Sequence, residues 1–165
     1  MQVGIVVPAW NVAAYPGDTL ASVLARTHAN WRLVVVDDGS ADGTSAVMQA
    51  CPDPRINLIR HANAGVSAAR NPGLAAPGPA DAVRFLDGDD HLVPDASARL
   101  VAALDEAQGA VAAAGAYALA GRVRRSVAGD VLERLLRRNI CERGIGRMFQ
   151  PDAPRQPAGA RRRSE

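Results

Sequence analysis

The sequence predicts an α/β fold with three layers and a mostly parallel sheet. Apolar runs of strand length alternate with segments of helical spacing over the first 110 residues. The runs are continuously apolar, which is typical of strands that helices cover on both faces. Apolar residues make up 48% of the 165 residues and charged residues 22%, the composition of a globular domain. A β-α-β-α order with right-handed crossovers follows.

Each predicted strand is followed by a signal for a turn or a helix start. The strands are predicted at Val3 to Val7, Leu33 to Val36, Ile56 to Ile59 and Ala82 to Leu86. Helix starts are indicated by Pro16 with Asp18, Ser40 with Asp42, and Pro94 with Asp95. In the last of these helices Leu100, Val101 and Leu104 share one face, which we expect to be buried.

The last third of the chain differs in composition. We predict a further strand through Tyr117 and Leu119 and a helix from Asp130 to Arg138, so that the domain covers residues 1–140. Residues 141–165 are rich in Arg and Pro and are expected to form a disordered, basic tail. The net charge is −5 over residues 1–119 and +7 over residues 120–165.

Several function classes are excluded by composition. All 19 basic residues are Arg, so a phosphate-binding loop with its Lys and a Schiff-base lysine are both absent. Cys51 and Cys141 are too few for a disulfide scaffold, which favours a reduced cytoplasmic setting. We find no leader peptide and no run long and apolar enough for a membrane span, and therefore expect a soluble protein.

Carboxylates follow the predicted strands, at the edge where open parallel sheets bind ligands. Close carboxylates repel one another unless a cation or a donor neutralises them, so a divalent metal is the simplest explanation. Oxygen ligands suit Mg or Mn that also carries phosphate oxygens. The run that begins at Asp37 could equally be a turn followed by a helix cap. The five carboxylates are Asp37, Asp38, Asp87, Asp89 and Asp90.

Four segments, taken together and in order, resemble the successive motifs of the family 2 glycosyltransferases. The resemblance covers about residues 2–110 and is specific as a set. The segments are Ile5-Val6-Val7-Pro8-Ala9-Trp10-Asn11, Val34-Val35-Val36-Asp37-Asp38-Gly39-Ser40-Ala41-Asp42-Gly43-Thr44, Asn63-Ala64-Gly65-Val66-Ser67-Ala68-Ala69-Arg70-Asn71 and Phe85-Leu86-Asp87-Gly88-Asp89-Asp90.

The resemblance implies a GT-A fold, a Rossmann-like domain that binds a nucleoside-diphosphate sugar, often a uridine one, with a divalent metal. It implies that Asp38 contacts the base, Arg70 lies near the diphosphate, Asp87 points towards the ribose and Asp89 binds the metal. The full set of nucleotide-binding residues that it implies is Pro8, Ala9, Asn11, Asp38, Asn63, Arg70 and Asp87.

Two features depart from the family pattern. An inverting transfer needs a carboxylate to take the acceptor's proton, and the family supplies it from an acidic motif beyond the metal motif. We find no match for that base, because Asp130 and Glu133 read as first-turn helix residues and Glu142 and Asp152 lie in the tail. Pro72 follows Asn71 and is expected to hold it extended and to weaken the helix there.

The preferred interpretation is a glycosyltransferase domain whose donor half is present and whose acceptor half is shortened or missing. The tail is then either the product of a truncated or out-of-frame reading of a longer coding region, or a basic segment that binds an anionic partner. The second candidate is a non-catalytic nucleotide-sugar-binding protein. A phosphotransfer domain is disfavoured, since those families use a Lys.

The expected partners are a nucleoside-diphosphate sugar, foremost a UDP-sugar, and a glycan or lipid acceptor that the sequence does not identify. We expect no nucleic-acid partner. The expected location is the cytoplasm, including the inner face of the membrane.

Overall fold

The computed structural model describes residues 1–76, 80–106, 112–114, 117–119, 122–124 and 147–149. The predicted alternation of strands and helices is confirmed over the first 106 residues. The strands are Val3–Ala9 (β1), Trp31–Asp37 (β2), Ile56–Arg60 (β3), Ala82–Phe85 (β4), Ala112–Ala114 (β5), Tyr117–Leu119 (β6), Arg122–Arg124 (β7) and Arg147–Phe149 (β8). The helices are Pro16–Leu24 (α1), Thr44–Gln49 (α2), Val66–Ala75 (α3) and Ala96–Glu106 (α4).

The main sheet has six strands in the order β3-β2-β1-β4-β8-β5. Strands β1 to β4 are parallel, and Val3 of β1 lies opposite both Trp31 of β2 and Ala82 of β4. The chain moves outward from β1 to β3 and then returns to the other side of β1. The carboxyl ends of β1, β2 and β4 therefore meet at the point where ligands bind in open α/β sheets.

The sheet is covered on both faces, as the continuous apolar runs predict. Val3, Ile5 and Val7 of β1 belong to a core that includes Leu20 of α1 and Leu100 of α4. On the opposite face, Val34 and Val36 of β2 pack against Ala69 of α3. Alternate side chains of β2 thus pack against helices on opposite faces of the sheet, since Leu33 and Val35 belong to the first core and Val34 and Val36 to the second. This confirms the three-layer α/β fold.

The expected tail contains a strand. Residues 147–149 form β8, which lies between β4 and β5 and is antiparallel to both. Met148 is fully buried in the main core. The prediction of an irregular tail is therefore wrong at these three residues, because a short segment gains order from the strands beside it rather than from its own composition. The rest of the tail and the helix predicted at 130–138 lie outside the described residues.

Pro72 does not end the third helix. Helix α3 runs through it to Ala75, and the amide of Ala76 donates to the carbonyl of Pro72. The expectation of extended backbone at Asn71 is wrong, because packing of α3 on β1 and β2 outweighs the hydrogen bond that proline cannot make. Among the described residues, no helix has both the length and the apolar character that a membrane span requires.

Candidate functional site

An open cavity of about 230 Å³ lies at the carboxyl edge of the sheet. Four of the predicted nucleotide-binding residues, from three separate segments, line it together. These are Pro8, Ala9, Asp38 and Asn63. The remaining lining residues are Trp10, Gly65, Val66 and Ala69.

Asp38 joins the loop after β2 to the loop after β3. Its Oδ1 accepts a hydrogen bond from the amide of Ala64 at 2.8 Å, and its Oδ2 accepts one from the amide of Gly65 at 2.9 Å. In turn, Nδ2 of Asn63 donates a hydrogen bond to the backbone carbonyl of Asp38 at 3.1 Å. The carboxylate is buried and held in one orientation at the cavity wall.

The close approach of these two loops depends on Gly39. Its φ is +72°, and a Cβ there would lie 2.8 Å from the backbone nitrogen of Asn63. Only glycine adopts this backbone without strain and leaves the necessary space. The Asp-Gly pair that the sequence presents after β2 is therefore required by the approach of the β3 loop.

Asn11 lies beside the cavity rather than in its lining. Its φ is +51°, in the left-handed region that Asn tolerates better than most residues. Its Oδ1 accepts from the amide of Ala41 at 2.9 Å, and its own amide donates to Oγ of Ser40 at 3.0 Å. Asn11 thus fastens the β1 loop to the β2 loop, and the structure gives it no direct place among the cavity walls.

Arg70 and Asp87 form an ion pair between α3 and the end of β4. The distance from Nη2 of Arg70 to Oδ1 of Asp87 is 3.0 Å, and both side chains are partly exposed. The guanidinium also lies 5.2 Å from the centre of the Phe85 ring. Nε of Arg70 is buried and has no hydrogen-bond partner among the described residues. The pair stands next to the cavity without lining it.

Asp37 belongs to the frame of the site. It is fully buried and accepts bonds from the amide of Ser40 at 2.8 Å and from the hydroxyl of Ser45. Burial on its own raises the pKa of Asp37, but the Ser40 and Ser45 hydrogen bonds and the charge of Arg60 hold that pKa below its ordinary value. Asp37 therefore stays ionised.

The five carboxylates do not form a metal cage. Asp37, Asp38 and Asp87 are each paired with protein donors, so a cation is not needed to neutralise them. Within the described ranges, no group of three or more His, Cys, Asp or Glu is arranged to hold a metal ion. A divalent metal is therefore not the explanation for Asp37, Asp38 and Asp87, because nearby backbone amides, hydroxyls and an arginine hydrogen-bond to their carboxylates.

Asp89 is the exposed carboxylate of the loop after β4. One or two carboxylates are enough for Mg or Mn when substrate phosphates and water complete the coordination. The residues present therefore fit a metal that arrives with a diphosphate, and they do not fit one that protein ligands alone would hold.

Sequence reasoning missed Trp10, Gly65, Val66 and Ala69 as cavity residues. A usable signal was available for Trp10, since an aromatic residue directly after an apolar strand at a ligand-binding edge has little core to join. It is 56% exposed. The four acidic residues that do not match the family's catalytic base in the sequence lie outside the described residues; they are Asp130, Glu133, Glu142 and Asp152.

A family model for "Glycosyl transferase family 2" matches residues 4–150. The succinoglycan biosynthesis protein ExoO of Rhizobium meliloti is 41% identical over 112 residues, which are 67% of this chain and 32% of that protein. The chain spans between 17% and 38% of the length of the first four curated relatives that it matches.

Two solved structures share the fold. The structure of S. aureus TarS 1-349 in complex with UDP-GlcNAc matches with a TM-score of 0.70 and 20% identity, over 91% of this chain and 45% of that one. The mannosyltransferase PcManGT from Pyrobaculum calidifontis, in complex with GDP-Man and Mn²⁺, matches with a TM-score of 0.63 and 24% identity, over 69% and 35%.

Proposed function

Because the chain belongs to glycosyl transferase family 2, we propose that it binds a nucleoside-diphosphate sugar and transfers the sugar to an acceptor hydroxyl with inversion. The observation that carries the proposal is the joint lining of one cavity by residues from the β1, β2 and β3 loops, with an Arg-Asp pair and an exposed carboxylate next to it. A nucleobase, a diphosphate and a metal ion are ligands for these three parts.

The nucleobase of the donor occupies the cavity. Trp10 offers an exposed aromatic face on which a base can stack. Asp38 accepts two backbone amides, yet each carboxylate oxygen has a second lone pair, so it can still accept an N–H of the base. Uracil supplies such an N–H at N3, which fits the uridine donors that the family resemblance implies.

The diphosphate lies at Arg70. Its guanidinium has five N–H donors, of which the structure uses one on Asp87, and its Nε is without a partner in the described part of the chain. Phosphate oxygens can accept from the unused Nη donors of this partly exposed side chain and leave the Asp87 carboxylate to turn towards the ribose. Charge developing on the leaving diphosphate would then meet a fixed cation, which lowers the barrier.

Asp89, together with the diphosphate, would hold a divalent metal, Mn²⁺ or Mg²⁺. When bound, the metal would add positive charge next to the leaving group. Since no three-residue ligand set exists among the described residues, the free metal is expected to bind weakly to the protein without nucleotide.

A second candidate, a binding protein without transferase activity, is favoured by one observation. Asp37, Asp38 and Asp87 all accept hydrogen bonds from protein groups. Asp37 and Asp38 are also buried and Asp87 is engaged by Arg70, so none of the three lies exposed to the hydroxyl of an acceptor. A chain without a base would retain donor binding and lose about 100- to 10,000-fold in rate.

Calorimetric titration tests the donor site. Asp89→Ala should weaken UDP binding in Mn²⁺ buffer at least about tenfold, because loss of a group that only hydrogen-bonds to a metal ligand already lowers metal affinity about 10- to 100-fold. Uridine binding should stay unchanged. Asp105→Ala, at the exposed end of α4, is the matched control and should bind as the parent does. Equal UDP affinity of Asp89→Ala and parent would contradict the metal assignment.

Release of nucleoside diphosphate separates the two candidates. The 165-residue chain is incubated with Mn²⁺, a panel of nucleotide sugars and mixed glycan and lipid acceptors. Turnover of about 1 per second or faster is in the ordinary enzymatic range and would establish the transferase. Donor binding with no release above the rate in water would establish the binding protein.

A further inference from the structure

The loop between β4 and α4 carries Asp89, and helix α1 holds this loop on both sides of Asp89. The hydroxyl of Thr19 donates to the carbonyl of Gly88 at 3.0 Å. The hydroxyl of Ser22 accepts from the amide of Leu92 at 3.1 Å. Thr19 and Ser22 are one turn apart on α1, so both lie on the face towards the loop.

The two hydroxyls are coupled through the helix backbone. Ser22 donates its proton to the carbonyl of Thr19 at 2.7 Å, which orients its oxygen lone pairs towards the amide of Leu92. Thr19 is fully buried, so the bond that it makes to Gly88 is shielded from water. If the Thr19 hydroxyl is removed, the Gly88 carbonyl is left buried without a donor, which costs the full free energy of desolvating that carbonyl.

The anchored ends bracket the acidic residues. Asp89 and Asp90 are the second and third residues of the five from Gly88 to Leu92. Gly88 is itself confined, because a Cβ there would lie 3.2 Å from Cγ2 of Val12 and 3.4 Å from the carbonyl oxygen of Pro8. The loop backbone is thus fixed against β1 on one side and α1 on the other.

Arg84 adds an electrostatic attachment to the same loop. It is buried on β4, and burial lowers its pKa to about 10, while the Asp90 carboxylate opposes that shift. The guanidinium and Asp90 therefore attract each other.

We propose that Thr19 and Ser22 are positioning residues that set the direction of the Asp89 carboxylate for a metal-bound diphosphate. The inference rests on the proposed function and adds α1 to the machinery of the same site. A carboxylate that is already held in its binding orientation loses less conformational entropy when the metal binds. Loss of either hydroxyl should therefore weaken only the metal-dependent part of nucleotide affinity.

The test compares Thr19→Val, which keeps the shape and removes the donor, with Thr19→Ser, which keeps the donor. Titration of the full 165-residue chain measures the dissociation constants of UDP with Mn²⁺ and of uridine without metal. Thr19→Val should weaken UDP binding about tenfold, in the range for residues that orient metal ligands. Uridine binding should stay within about twofold, and Thr19→Ser should restore the parent value for UDP.

Ser22→Ala gives a second and independent variant, should Thr19→Val not fold. Ser97→Ala is the matched control, since Ser97 is also buried on a helix while its hydroxyl has no partner among the described residues. Ser22→Ala should weaken UDP binding as Thr19→Val does, and Ser97→Ala should not.

Three results would overturn the inference. Parent-like UDP binding by both hydroxyl variants, with Asp89→Ala impaired, would leave the proposed function intact and remove the role of α1. Equal losses for UDP and uridine would show a general defect of the fold. If the parent binds no UDP at all, the proposed function fails and the inference falls with it.

Discussion

At the scale of single residues, Asp38 has a structural role as well as the predicted contact to the base. Both of its oxygens accept backbone amides of the β3 loop, and that loop supplies Asn63 and Gly65 to the cavity. Removal of the carboxylate leaves two part-buried amides without their acceptor, and a hydrogen bond to a charged group contributes about 1.5–3 kcal/mol. The cavity wall and the stability of the domain therefore depend on the same side chain.

We expect Asp38→Ala to lower the free energy of unfolding by about 2 kcal/mol or more and also to abolish uridine binding. Urea unfolding and calorimetric titration measure the two effects. Asp105→Ala is the control for loss of an aspartate as such. If Asp38→Ala keeps the parent stability and loses only uridine binding, then the carboxylate serves the base and not the loop.

At the scale of elements, helix α3 approaches the sheet through a position with no side chain. A Cβ on Gly73 would lie 2.3 Å from Cγ1 of Val6 and 3.3 Å from Cγ2 of Val36. Valine is β-branched and cannot rotate away freely, so the helix would have to move outward. Arg70 lies one turn earlier on the same helix, and its distance to Asp87 would change with it.

Gly73→Ala should therefore destabilise the domain by about 1–3 kcal/mol, the usual cost of overpacking a core, even though alanine is the better helix former. Gly17→Ala in α1 is the matched control, because a Cβ there meets nothing within 4 Å. It should stabilise by about 0.4–1 kcal/mol. Both values are read from urea unfolding, and equal signs for the two variants would contradict the packing argument.

At the scale of the whole molecule, the sheet is completed by a strand from far along the chain. Strand β8 covers the edge of β4 that faces away from β1 and carries β5 on its other side. Without it, β4 would present unpaired backbone groups, and exposed strand edges associate with other chains. Met148 would also leave the core, where it is fully buried.

We expect a chain ending at residue 146 to be less stable than one ending at residue 150. The expected loss is about 2–5 kcal/mol, the cost of removing a buried Met side chain, and self-association should increase. The chain ending at 150 keeps β8 and serves as the control. Urea unfolding and sedimentation compare the two, and identical behaviour would mean that β8 contributes nothing to the sheet.

The sequence by itself determined the three-layer architecture and the edge at which the site lies. Strands buried on both faces must be continuously apolar, and polar residues directly after them must meet at one edge, which is where Asp38 lies. The family resemblance, and not this rule, implied Pro8, Ala9 and Asn63, which line the same cavity as Asp38. Both inferences need only residues adjacent in the chain, which is why a sequence can carry them.

Only the tertiary structure decided how the carboxylates are neutralised and which segments complete the sheet. The donors to Asp38 come from 26 and 27 residues away, and β8 pairs with β4 across more than 60 residues. No local pattern encodes such partners, because their energy depends on the approach of elements distant in the chain. For the same reason the tertiary structure, and not the sequence, placed Thr19 of α1 on the backbone of the acidic loop.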